Sequence, residues 1–160
     1  MWNPFRRNRG PEPVFLPAPG RMIDLSEVPD PVFAARSMGD GFAVEPADGT
    51  FRSPVDGELI LVADTGHAFG VRTPNGAELL VHIGVDTVLL KGDGFRLLRA
   101  TGDHVAAGDP VIECDLAGMS AAVPSLATPV ILTNGPGFVL TVTDEHGSDT
   151  TRPVATVGRA

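Results

Sequence analysis

The chain contains no tyrosine, one tryptophan (Trp2), one lysine (Lys91) and one cysteine (Cys114) in 160 residues. A lone cysteine excludes an internal disulfide. Cys114 reads as a small buried residue at the end of a strand. Basic residues are scarce. Twelve Lys and Arg face 20 Asp and Glu, for a formal net charge of −8. Beyond Arg6, Arg7 and Arg9 no basic stripe is visible, which argues against nucleic acid as a partner. No apolar run is long enough to span a bilayer and no secretory core is evident, so the expected location is the cytoplasm. Glycine and proline, in contrast, are plentiful at 19 and 15 residues, which favours many short strands over long helices.

Residues 1–18 are rich in Pro and Arg, lack periodicity and read as a flexible tail. Residues 19–160 read as one domain. Strands are expected at 21–25, 41–46, 50–53, 57–62, 68–73, 77–83, 95–98, 110–114, 128–133, 138–143 and 154–157. Asp48-Gly49, Asp56-Gly57, Gly92-Asp93-Gly94 and Gly108-Asp109 supply turns between them. That pattern points to an all-β protein, an antiparallel sandwich or barrel. Asp30-Pro31 has the form of an N-cap followed by proline in the first helical turn, and 116–123 reads as a short helix. Gly92-Asp93-Gly94 lacks the helix start and Gly-Lys-Ser/Thr ending of a phosphate cradle and reads as a plain turn. His104 and His146 lie in turn-like stretches and read as solvated surface residues.

Two other histidines carry the chemistry. His67 lies six residues before Thr73, and His82 six residues after Gly76, with Thr73-Pro74-Asn75-Gly76 between them as a turn signal. If Thr73 and Gly76 close the turn, the imidazoles are directly opposed on one sheet face, with Cβ atoms about 4.5–5.5 Å apart. Two rings that close can share a transferred phosphoryl group or a metal ion. Thr65, one alternation from His67, can bond a ring nitrogen and fix its tautomer.

Several stretches resemble the glucose-type enzyme IIA domain of the bacterial phosphoenolpyruvate-dependent sugar phosphotransferase system. They are Ser53-Pro54-Val55-Asp56-Gly57, Thr65-Gly66-His67-Ala68-Phe69, Glu78-Leu79-Leu80-Val81-His82-Ile83-Gly84-Val85-Asp86-Thr87-Val88 and Gly108-Asp109-Pro110-Val111-Ile112-Glu113-Cys114. The likeness runs from about Pro19 to Val157. It implies an antiparallel β-sandwich or barrel of the duplicated hybrid motif type, with short helical turns. It implies that His82 accepts phosphate on Nε2 from the histidine-containing phosphocarrier protein and passes it to a sugar-specific enzyme IIB of the IIB/IIC permease. On the same basis His67 stabilises the phosphoryl group, Thr65 orients His67, and the Gly84 carbonyl accepts from Nδ1 of His82. Asp30 and Asp86 match acidic positions that meet basic groups on partners. Val32, Phe33, Leu80, Ile83 and Val88 fit an apolar collar that docks those partners. Ser37, Ala63 and Pro31 depart from the residues common in the family at their positions.

No cofactor is required for this chemistry. An alternative reading is a regulatory module whose unphosphorylated form docks transporters or kinases, with a zinc ion bridged by His67 and His82 and completed by the partner. A zinc hydrolase is disfavoured because no His-x-His pair occurs. A lipoyl or biotin carrier is disfavoured because Lys91 does not sit at a suitable hairpin tip.

Overall fold

The computed structural model describes residues 10–160. Along them run β1 (Glu12–Val14), β2 (Gly20–Ile23), α1 (Pro31–Ala34), β3 (Gly41–Pro46), β4 (Thr50–Arg52), β5 (Gly57–Val62), β6 (Ala68–Arg72) and β7 (Glu78–His82). Then follow β8 (Phe95–Leu97), β9 (His104–Val105), β10 (Pro110–Cys114), α2 (Leu116–Ser120), β11 (Thr128–Leu132), β12 (Phe138–Val142) and β13 (Ala155–Arg159). Single 3₁₀ turns occupy Leu25–Glu27 and Thr87–Leu90. The protein is thus an all-β, antiparallel sandwich with short helical turns. Among the described residues no helix is long and apolar enough to cross a membrane.

The strands form three sheets. The largest has the order β2-β3-β11-β7-β6-β5-β9, and two three-stranded sheets have the orders β1-β13-β12 and β4-β10-β8. The burial pattern along each strand explains how they stack. In β7, Leu79 and Val81 are buried while Glu78, Leu80 and His82 are half-exposed, the period-2 alternation of a strand with one covered face. β3 and β11 are apolar runs covered on both faces. Phe42, Val44, Val130 and Leu132 enter the main core, whereas Ala43 and Ile131 point the other way into a satellite core. That satellite also contains Ile23, Leu25, Val28, Phe33, Val85 and Ala127. It matters for function because α1 and the segment after β7 both rest on it.

The 18-residue tail expected from composition is corrected over its second half. Val14, Leu16 and Ala18 are fully buried in the main core, and β1 pairs with β13, matching Glu12 to Val157 and Val14 to Ala155. Prolines there conceal the strand because they break every periodic pattern, yet the apolar side chains between them still fill the core. Residues 1–9 of the expected tail lie outside the described residues. β9 also goes beyond the expected strands; His104, expected in a turn-like stretch, pairs through its backbone with Glu58 while its side chain is exposed. Leu25, placed in a strand by its apolar neighbours, belongs to a 3₁₀ turn whose capping box links Asp24 and Glu27. Cys114 ends β10 half-buried, and burial pushes its thiol up to about 12, which leaves it inert.

Because Leu16 is fully buried, Leu16→Ala is expected to destabilise the fold by about 2–5 kcal/mol. Urea unfolding measures this. A loss below about 0.5 kcal/mol, the range of surface substitutions, would show that the segment is dispensable.

Candidate functional site

The β6–β7 hairpin does not close as expected. Thr73 N–H donates to the Ala77 carbonyl at 2.8 Å, so the loop is Pro74-Asn75-Gly76 and the closing pair is Thr73 and Ala77. One extra loop residue shifts the register by one. His82 is opposite Ala68, and strict alternation would send His67 to the other face with Phe69 and Val71. The rings nevertheless meet, with centroids 5.4 Å apart and planes at 71°. The reason is that β6 begins at Ala68, so His67 belongs to the β5–β6 loop and escapes the alternation. That loop is closed by Ala63 N–H to the Ala68 carbonyl at 3.0 Å and Gly66 N–H to the Ala63 carbonyl at 2.8 Å. Gly66 has φ +76°, and a Cβ there would lie 2.6 Å from Cβ of Phe95, so only glycine lets this loop pack down.

Each ring is held at Nδ1. Thr65 Oγ1 lies 2.7 Å from Nδ1 of His67. Nδ1 of His82 lies 2.9 Å from the Gly84 carbonyl. A carbonyl only accepts, so Nδ1 of His82 carries the proton and Nε2 keeps its lone pair. Gly84 has φ +72°, and a Cβ there would meet Thr87 Cγ2 at 2.7 Å and the Ser125 carbonyl at 3.1 Å. Around it Thr87 Oγ1 donates to the Ile83 carbonyl and Val85 N–H donates to the Ser125 carbonyl at 2.9 Å. The carbonyl that fixes His82 is itself fixed.

Asp30 caps α1, its Oδ1 accepting from Val32 N–H at 2.8 Å and Phe33 N–H at 3.4 Å. Asp86 is exposed at φ +59° and makes no side-chain cap to the 3₁₀ turn that follows. Both carboxylates lie within electrostatic reach of His82 and favour its charged form. Burial outweighs them together with the Gly84 bond, and the His82 imidazole is held below its ordinary value of 6.5. His67 is also lowered, first by burial and second by the neighbouring His82. Both rings are therefore neutral at pH 7.

The expected apolar collar divides. Val32 and Val88 are exposed at 47% and 48%, and Leu80 is half-exposed. Ile83 is fully buried in the main core and Phe33 is buried in the satellite core. Ile83 has no surface to offer a docked partner and Phe33 very little. The alternation already implied this for Ile83, which shares parity with Leu79 and Val81 rather than with His82. In their place the structure exposes Leu89 at 74% and Met38 at 41%, on the two segments that flank the histidines. Sequence reasoning passed over both because an apolar residue in a turn gives no periodic signal. As for metal, no group of three or more His, Cys, Asp or Glu is arranged to hold an ion among the described residues. His67 and His82 would give a zinc ion two of the four ligands it takes.

The depressed imidazoles give a signed expectation. Their protons are lost in the native state at a pH where the unfolded chain still binds them, so the stability linked to each ring is full above about pH 6.5 and declines as pH falls through the folded value. Proton NMR titration should place both midpoints below 6.5. A midpoint at or above that value for His82 would contradict the dominance of burial. Gly84→Ala should displace the carbonyl and release Nδ1, read as a mixture of His82 tautomers in ¹⁵N spectra.

Comparison with known proteins places this geometry in a family. The model of the phosphoenolpyruvate-dependent sugar phosphotransferase system, EIIA 1, matches residues 12–138. The PTS system glucose-specific EIIA component of Halalkalibacterium halodurans is 46% identical over 123 residues, 77% of this chain and 71% of that one. Its namesake from Mycoplasma capricolum is 43% identical over 129 residues, 81% and 84% of the two chains. The glucose-specific EIICBA component of Streptococcus pneumoniae is 46% identical over 137 residues, 86% of this chain but 19% of that longer one. The solved glucose permease IIA from Mycoplasma capricolum superposes with a TM-score of 0.87 at 39% identity, covering 98% of this chain and 99% of that one. The chain belongs to the EIIA 1 family of the phosphoenolpyruvate-dependent sugar phosphotransferase system, and is a phosphotransferase component of it.

Proposed function

We propose that this chain carries a phosphoryl group on Nε2 of His82, between the histidine-containing phosphocarrier protein and a sugar-specific enzyme IIB. One observation supports the assignment above others: the Gly84 carbonyl 2.9 Å from Nδ1 of His82 leaves Nε2 as the nucleophilic nitrogen. In the forward step the Nε2–P bond forms as the P–N bond on the donor's histidine breaks, and the freed donor imidazole keeps the electron pair. Transfer of this kind needs alignment and neutralisation of the equatorial oxygens more than covalent help. With the Thr65 hydroxyl donating to Nδ1, His67 presents Nε2–H to a phosphoryl oxygen. Asp30 and Asp86 make the surroundings of His82 acidic, so a cationic side chain on the partner completes the charge balance. No cofactor takes part. Partners dock on Val32, Leu80, Val88, Leu89 and Met38. The relatives' glucose-specific names support a sugar of the glucose class, with a permease of type IIB/IIC downstream. The chain works in the cytoplasm, where the phosphorylated carrier is supplied.

Incubation with phosphoenolpyruvate, enzyme I and the phosphocarrier protein should add one phosphoryl group, stable in base and labile in acid, as for phosphohistidine. His82→Ala should abolish it. His67→Gln should still accept phosphate but lose roughly a hundred-fold or more in onward transfer, the usual effect of removing one donor to a developing anion. Phosphate found on Ser53 or Thr65, or normal onward transfer by H67Q, would overturn the assignment. Leu89→Asp should raise the carrier concentration needed for half-maximal rate while leaving unfolding unchanged, because Leu89 is 74% exposed.

A further inference from the structure

We propose that Phe33 is a positioning residue for phosphoryl transfer: it packs against the His82 ring from inside the fold instead of docking partners from outside. The inference rests on the reading of His82 as acceptor. The Gly84 carbonyl fixes His82 at one ring atom, and a single hydrogen bond leaves the imidazole free to rock about it. Beside the His67 ring at 5.4 Å, Phe33 supplies a further constraint, its ring centroid 5.0 Å from that of His82 with planes at 55°. This tilted packing is favourable for two aromatic rings.

Phe33 is itself immobilised. It is 5% exposed and belongs to the satellite core with Ile23, Leu25, Val28, Ala43 and Ile131; among the described residues it is the only aromatic side chain there. The turn that carries it is set by the Asp30 cap and by Pro31 at its start. Its far end is tied down by Arg36, which pairs with Asp24 and Asp40 at 3.0 Å each. The contact therefore runs from a packed core, through a capped helical turn, to the reacting ring. Such support is what near-attack geometry requires, since small misplacements of a reacting group cost large factors in rate.

Docking and positioning make opposite kinetic expectations. Phe33→Leu keeps the satellite core filled and removes the ring; Phe33→Tyr keeps the ring. Phosphorylation by the phosphorylated carrier should be followed over a range of carrier concentrations. For F33L the saturated rate should fall roughly ten- to a hundred-fold, with the half-saturating carrier concentration within about two-fold of the parent. F33Y should recover most of that loss. In ¹⁵N spectra of the unphosphorylated proteins, all three should show His82 as the Nδ1–H tautomer, because the Gly84 bond is untouched; the loss in F33L is then one of ring placement alone. An F33L protein with an unchanged saturated rate, whether or not its half-saturating concentration rises, overturns the proposal, as does a tautomer mixture in F33L, which would trace the loss to the Gly84 bond instead. Failure of the parent protein to take phosphate on His82 would instead defeat the underlying reading.

Discussion

The hydrogen bond from Nδ1 of His82 to the Gly84 carbonyl is the constraint on which the site depends. It selects the tautomer, and the tautomer leaves Nε2 as the ring nitrogen with a free lone pair. The bond spans two residues, so it needs a backbone that turns back on itself immediately after β7. Gly84 provides the turn at φ +72°, a conformation other residues adopt only with strain. The neighbouring contacts remove its freedom: Thr87 caps the Ile83 carbonyl, Val85 bridges to Ser125, and Ile83 is sealed in the main core. A loop glycine that would otherwise be a point of flexibility becomes a rigid support.

Neutrality of the rings follows from the same packing. Asp30 and Asp86 would raise the affinity of His82 for a proton, and a protonated Nε2 cannot be a nucleophile. Burial against the satellite core outweighs them. The carboxylates are thus tolerated close to the acceptor. Asp30 also has structural work, capping the turn that bears Val32 and Phe33, so its removal would disturb both the local field and the geometry.

Much of this was legible in the sequence, and the misreadings have physical causes. The all-β class, most strands and the Asp30-Pro31 helical start followed from alternation, turn residues and capping chemistry. The pairing of His67 with His82 was reached through a register that is off by one. A two-residue separation of closing positions and a three-residue loop look alike in Thr73-Pro74-Asn75-Gly76-Ala77, and only the observed bond between Thr73 and Ala77 distinguishes them. The rings still meet because His67 leaves the strand, which depends on Gly66 packing against Phe95, a contact from a distant segment. Ile83 and Phe33 are a different kind of miss. Ile83 has core parity, readable from Leu79 and Val81. Phe33 is turned inward by a satellite core assembled from five separate stretches, which no local pattern reveals. The buried strand β1 was obscured by prolines on either side of Val14 and Leu16.

The division of the collar into exposed and buried parts bears on how one face serves both chemistry and recognition. Val32, Val88 and Leu89 present apolar surface to solvent, while Phe33, the next residue after Val32, faces His82. Adjacent side chains on one short turn therefore face solvent and the His82 ring. On the proposed assignment, a phosphoryl group would bring about −1.5 to −2 charges to this place. It arrives beside two carboxylates and at the edge of an apolar rim, where desolvation of a dianion by a docking protein is costly. A partner that brings a cation can bear that cost, and one that offers only apolar surface cannot. On the proposed assignment, the arrangement that holds His82 would also let the docking face tell phosphorylated from free forms by charge alone.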